Sequence, residues 1–209
     1  HKDVFAQSRS AFCYSYPLRK IIWQLKFRNK PALADILGKR MADQLESWMH
    51  ASGPFDGIIP VPATTGTQRM RGFNQAELLA KLVGRQWDIP VYPNYLVRTH
   101  RAAPRYKLGR DARWRNGNRV FQVPPPCISR VQNLQKILLV DDIYTTGSTA
   151  VACARALRDI GLSASSIFVA TLSRVYNPSK ERHAIHHSGT WNSHDSRTPG
   201  ICGQEVSPS

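Results

Sequence analysis

The chain has 209 residues, 42% of them hydrophobic, which suits one α/β domain with appendages around a single sizeable core. Its 29 Lys and Arg outnumber 14 Asp and Glu, and the formal charge of +15 attracts phosphate-rich partners: nucleic acid, nucleotides or an anionic membrane surface. No apolar run approaches the roughly 20 residues that span a bilayer, and no basic-then-apolar leader precedes a small-residue cleavage site, so the expected location is cytoplasmic.

Residues 1–15 show no clear period and read as a ragged lead-in. From Pro17, Leu18, Ile21, Ile22 and Leu25 recur at helical spacing, with Arg19 and Lys20 among them. A second helix is expected from Pro31 to Trp48, its apolar stripe being Leu33, Ile36, Leu37, Met41 and Leu45. Gly53-Pro54 breaks the chain. Ile58 to Val61 then reads as a short buried strand, followed by a polar loop from Ala63 to Phe73 and a third helix from Asn74 to Gln86. A strand is expected within Val91 to Val97 and another at Val120 to Val123. Between them, residues 98–119 carry eight Lys or Arg against the single acid Asp111. Their candidate nucleic-acid contacts are Arg98, Arg101, Arg105, Arg110 and Arg113, and Tyr106 and Trp114 are placed either to stack on bases or to pack a helix. Lys136 to Val140 is a continuous apolar strand, Thr149 to Ile160 a helix ending at Gly161, and Ser166 to Leu172 the next strand. That order is a βαβ unit, which implies parallel strands. After Arg174 the composition turns to Ser, His, Pro, Gly and Asn without apolar period, so 175–209 is expected to be a disordered tail. Such a tail makes a poor metal site of His183, His186, His187 and His194.

The junction of the βαβ unit carries the clearest chemistry. In a parallel sheet, ligands bind beyond the carboxyl ends of the strands. Asp141 and Asp142 stand at such an end, and Thr145-Thr146-Gly147-Ser148-Thr149 leads from them into a helix. Unpaired N–H groups and the positive dipole end at a helix start attract an anion. Gly147 lets the backbone approach closely, and the hydroxyls add donors. The adjacent carboxylates suit a hydroxyl-rich neighbour such as a ribose, or Mg²⁺. A Walker loop and a G-x-G-x-x-G fingerprint are both absent.

The segment Leu138-Leu139-Val140-Asp141-Asp142-Ile143-Tyr144-Thr145-Thr146-Gly147-Ser148-Thr149 resembles the signature of type I phosphoribosyltransferases. The resemblance implies a phosphoribosyl-pyrophosphate (PRPP) site: Asp141 and Asp142 on the ribose hydroxyls, residues 145–149 on the 5′-phosphate, and Mg²⁺ accompanying the ligand. Three further runs narrow it: Ile58-Ile59-Pro60-Val61-Pro62, Arg69-Met70-Arg71-Gly72-Phe73-Asn74-Gln75-Ala76, and Tyr16-Pro17-Leu18 with Leu25-Lys26-Phe27. Together they are similar to the ComF competence family, itself similar to the C-terminal half of amidophosphoribosyltransferases. The implied fold is α/β, a type I phosphoribosyltransferase-like parallel sheet flanked by helices, over residues 16–174. Guanidinium forks suit pyrophosphate oxygens, which makes Arg69 and Arg71 candidates for that group. Phe73 and Gln75 read as packing and capping residues.

The chain departs from the family in two places. The usual four-cysteine zinc ribbon is absent, since Cys13, Cys127, Cys153 and Cys202 are too scattered to form one, so no zinc is expected in these residues. A chain beginning at His1 rather than Met also reads as a fragment. In the basic segment, Ala102 and Arg105 stand where the family carries Thr and Gln.

Two functions remain open at this stage. The resemblance implies a PRPP-binding protein of DNA uptake and natural transformation, handling single-stranded DNA beside a competence helicase. The alternative is a catalytically active phosphoribosyltransferase acting on an unidentified acceptor. Fold alone does not choose between them.

Overall fold

A computed structural model of the chain describes residues 3–27, 32–99 and 120–175. Four parallel strands form the central sheet in the order β1–β6–β5–β2: β1 (Gln7–Cys13), β2 (Gly57–Pro60), β5 (Ile137–Tyr144) and β6 (Ile167–Arg174). Val91 extends the sheet by one parallel bridge to Ile58. A separate pair of two-residue antiparallel strands, β3 (Val97–Arg98) and β4 (Phe121–Gln122), stands beside it. The helices are α1 (Tyr16–Phe27), α2 (Ala32–Ser52), α3 (Thr65–Arg71), α4 (Gln75–Trp87), α5 (Ile128–Gln132) and α6 (Ser148–Arg158).

Strand alternation sorts the core into two layers. Ile59, Ile137, Leu139, Ile167 and Val169 face one way, against α6 and β4. Ile58, Leu138, Val140, Phe168 and Ala170 face the other, against α1, α2 and α4. β5 and β6 are therefore covered on both sides, which is why they read as unbroken apolar runs. Gly38 lets α2 and α4 approach closely, because a Cβ there would lie 2.6 Å from Leu82.

β1 was not legible as a strand. The expected lead-in is instead a sheet edge paired with β6 over Gln7–Cys13. Its sequence, QSRSAFC, has little apolar content, and polar pairs replace greasy ones. The buried Ser10 and Thr171 hydroxyls lie 2.6 Å apart, and Trp48 Nε1 donates to Gln7 Oε1 at 2.8 Å. Two smaller corrections concern helices. Within Ala63–Phe73, expected to be a loop, lies α3, started by Thr64, whose side chain accepts from Thr67 N, and stopped by left-handed Gly72. Ile36, assigned to the apolar stripe of α2, points outward at 62% exposure, while Leu37, Met41 and Leu45 are buried as expected. The strand expected within 91–97 resolves into the Val91 bridge and β3. Apart from Val175, the expected tail lies outside the described residues.

The layering sets a stability contrast on one helix. Leu45→Ala removes a side chain that is 1% exposed and should cost about 2–5 kcal/mol. Ile36→Ala should stay within about 0.5 kcal/mol. Urea melts of the two variants check this, and equal costs would contradict the placement of α2.

Candidate phosphate-binding site

β5 outreaches its neighbour. β2 stops at Pro60, opposite Val140, and Val61 N closes on Val140 O at 2.9 Å. Beyond that point β5 pairs only with β6, from Asp141 opposite Thr171 to Tyr144 opposite Arg174. The acidic pair thus stands at the carboxyl edge of the sheet, half-buried, on a strand held firmly from behind. Asp142 N donates to Asp141 Oδ1 at 2.8 Å, and Ser173 Oγ donates to Asp142 O at 3.3 Å. Ile143 packs with the α2/α4 layer and Tyr144 with the α6 layer, the reverse of what alternation from Val140 would give.

The chain then turns into α6 through a left-handed Gly147, φ +78°. Any Cβ at this position would strike the Tyr144 hydroxyl and ring, with Cζ 2.6 Å away. Thr145, Thr146, Ser148 and Thr149 are all exposed. Thr146 Oγ1 lies 3.1 Å from Ser148 Oγ and accepts from Ser148 N at 3.3 Å. No acid occupies the first turn of α6, so nothing there offsets its positive dipole end.

Other predicted residues are arranged around this edge. α3 follows the carboxyl end of β2, next to β5, and so places Arg69 and Arg71 on the same side of the sheet. At 100° per residue the two point about 200° apart. Arg69 is exposed, whereas Arg71 is half-buried and donates from Nη1 to Gln75 Oε1 at 3.1 Å. Gln75 is buried and Phe73 packs against the α2/α4 layer, as expected of packing residues. The capping role falls to Asn74, which accepts from Ala76 N and donates to Val61 O.

Arg98 lies exposed on β3, its guanidinium 5.2 Å from the centre of the Phe121 ring. On the inner face of α6, burial first and then the Asp141 carboxylate push the Cys153 thiol well above its usual range, while the Arg98 charge pulls it down. Arg101, Arg105, Arg110 and Arg113 lie outside the described residues, as do Tyr106 and Trp114.

Two residues at the site were missed by sequence reasoning. Tyr144 underlies Gly147, and the Arg174 guanidinium stacks on it, 4.9 Å from the ring centre. The only available signal was that both end adjacent strands of the βαβ unit. Among the described residues, no group of three or more His, Cys, Asp or Glu gathers to hold a metal, and no helix is long and apolar enough to cross a membrane.

No family model matches the chain. It is 30% identical over 162 residues to the DNA utilization protein YhgH of Escherichia coli (strain K12), covering 74% of this chain and 67% of that one. It is 31% identical over 154 residues to competence protein F of Haemophilus influenzae, covering 71% and 65%. Competence protein ComFC of Bacillus subtilis is 27% identical over 168 residues, covering 78% and 62%. The chain thus spans roughly two thirds of the length of these relatives. Among solved structures, the glutamine PRPP amidotransferase from B. subtilis, complexed with ADP and GMP, matches with a TM-score of 0.44 and 16% identity, over 67% of this chain and 26% of that one. With relatives of these names sharing about 30% identity over most of its length, the chain belongs to the ComF competence family.

Proposed function

We propose that this chain binds PRPP at the carboxyl edge of its sheet and handles single-stranded DNA during uptake, in the cytoplasm and beside a helicase-like partner. One observation carries the PRPP reading. A half-buried acidic pair, a left-handed glycine and an acid-free helix start follow one another within Asp141–Ser148, at the open end of a parallel sheet. In this reading Asp141 and Asp142 accept from the ribose hydroxyls. Backbone N–H groups at the start of α6 and the hydroxyls of Thr145, Thr146, Ser148 and Thr149 hold the 5′-phosphate, and Gly147 keeps that approach open. In this reading the exposed Arg69 on α3 meets the pyrophosphate, while Arg71, about 200° away around the helix, is engaged with Gln75.

Mg²⁺ fits this donor set, since it binds through one or two carboxylates plus substrate oxygens and keeps several waters. Asp141 and Asp142 would hold it, and its charge would offset that of the pyrophosphate. The DNA reading rests on the charge of +15, on the basic stretch 98–119, and on the names of the relatives.

Calorimetry should find Mg²⁺-dependent PRPP binding that weakens at least about tenfold in the Asp141→Asn, Asp142→Asn double variant. Equal affinities would refute the site. Gly147→Ala should also lose PRPP, because its Cβ meets Tyr144 and its backbone must leave the left-handed region. Release of pyrophosphate in the presence of candidate bases would make the protein a phosphoribosyltransferase; binding without turnover fits a binding module.

DNA affinity should fall with salt, log against log, by about 0.7 per phosphate contact on a single strand. Replacing Arg101, Arg105 and Arg110 with Ala should flatten that slope. Salt-insensitive binding in a titration series would contradict the electrostatic reading.

A further inference from the structure

Tyr144 is 7% exposed, and among the described residues its hydroxyl makes no hydrogen bond. A buried hydroxyl without a partner is unfavourable, and phenylalanine would fill the same space without that cost. Packing in the α6 layer therefore explains the ring but not its oxygen. That oxygen is the heavy atom nearest to where a side chain at Gly147 would begin. Gly147 is the N-cap of α6, the position from which a side chain ordinarily reaches the free N–H groups of the first turn. No side chain caps α6 from there, and Ser148 N is met only by Thr146 Oγ1. The phenol thus stands at the open start of an 11-residue helix, in the place of the missing cap.

A cation stands with it. Arg174 ends β6 opposite Tyr144, half-buried, its guanidinium 4.9 Å from the centre of the ring. Among the described residues it enters no ion pair. A ring face offsets part of its charge but is no substitute for the oxygens that its N–H donors can reach.

We propose that the Tyr144 hydroxyl and the Arg174 guanidinium complete the phosphate site at the start of α6, and that this site takes a terminal phosphate monoester as a unit separable from the pyrophosphate. Such a group carries about two negative charges and three free oxygens. It can meet backbone N–H groups, a phenol and a guanidinium together, where a diester within a nucleic-acid strand offers fewer oxygens. The inference rests on the PRPP reading above. It adds two side chains to that site and the ligand class they select: 5′-phosphorylated sugars, with or without a pyrophosphate.

Competition against Mg²⁺-PRPP, followed by calorimetry on the full chain, tests it with ribose 5-phosphate and inorganic pyrophosphate as probes. Ribose 5-phosphate should displace PRPP from the wild type. Tyr144→Phe keeps the ring and should weaken ribose 5-phosphate about tenfold, the loss of one bond to a charged group. Inorganic pyrophosphate should compete as it does in the wild type. Arg174→Gln should act in the same direction as Tyr144→Phe, and Arg174→Lys should recover part of the loss because a charge remains. The Tyr144→Phe variant loses no bond within the described protein, so its melting curve should match the wild type. If the wild type does not bind PRPP, the PRPP reading falls and this inference with it. If PRPP binds but ribose 5-phosphate does not compete, only this inference falls. The same holds if Tyr144→Phe leaves that competition unchanged or weakens both probes alike, and Tyr144 is then a packing residue.

Discussion

The structure depends on β5. This strand is hydrogen-bonded on both sides as far as Val140 and covered on both faces, so its position is set by four sets of contacts at once. Parallel strands need such cover, because the connections between them place helices on the faces. When β2 stops, β5 continues on β6 alone and carries two carboxylates into the open edge. Half-burying two acids is tolerable there because solvent reaches one side, while the ladder to β6 holds their backbone. A site on a strand end is more precise than one on a free loop, since packing limits its freedom.

The turn after β5 extends that rigidity. Tyr144 fills the space beneath Gly147, so the loop rests on a ring and not on water. Arg174, from the neighbouring strand, places its guanidinium over that ring. The turn into α6, local in sequence, is thereby tied to β6, and through the Tyr14–Arg174 backbone bond to β1. The small β3–β4 pair is fixed in a related way. Phe121 and Val123 are buried in the α6 layer, and Thr99 N bonds Val120 O at 2.9 Å. The basic stretch therefore leaves and re-enters the fold at one point, beside α6.

Charge is distributed unevenly around this frame. The acid-free α1, the basic last turn of α3 and the basic segment after β3 contrast with the acidic pair at the sheet edge. A field of this kind concentrates polyanions near the protein before any specific contact forms.

Local patterns were enough to read β2, β5, β6, the helices α1, α2, α4 and α6, and the turn into α6 from the sequence. Their periodicity and turn chemistry are set by residues close in the chain, such as the apolar run 137–140 and Gly147. The acidic pair was legible for the same reason. What the tertiary structure decided is everything that depends on distant partners. β1 is a strand only because β6 offers an edge, and its polar Ser10 is buried only because Thr171 meets it. Thr64–Arg71 reads as a polar loop until its cap and Gly72 close a helix. Ile36 fits the stripe of α2 by spacing but misses the core by direction. Tyr144 and Arg174 have no signature of their own. They reach the site because β5 and β6 end together, and that pairing is a property of the sheet, not of either segment.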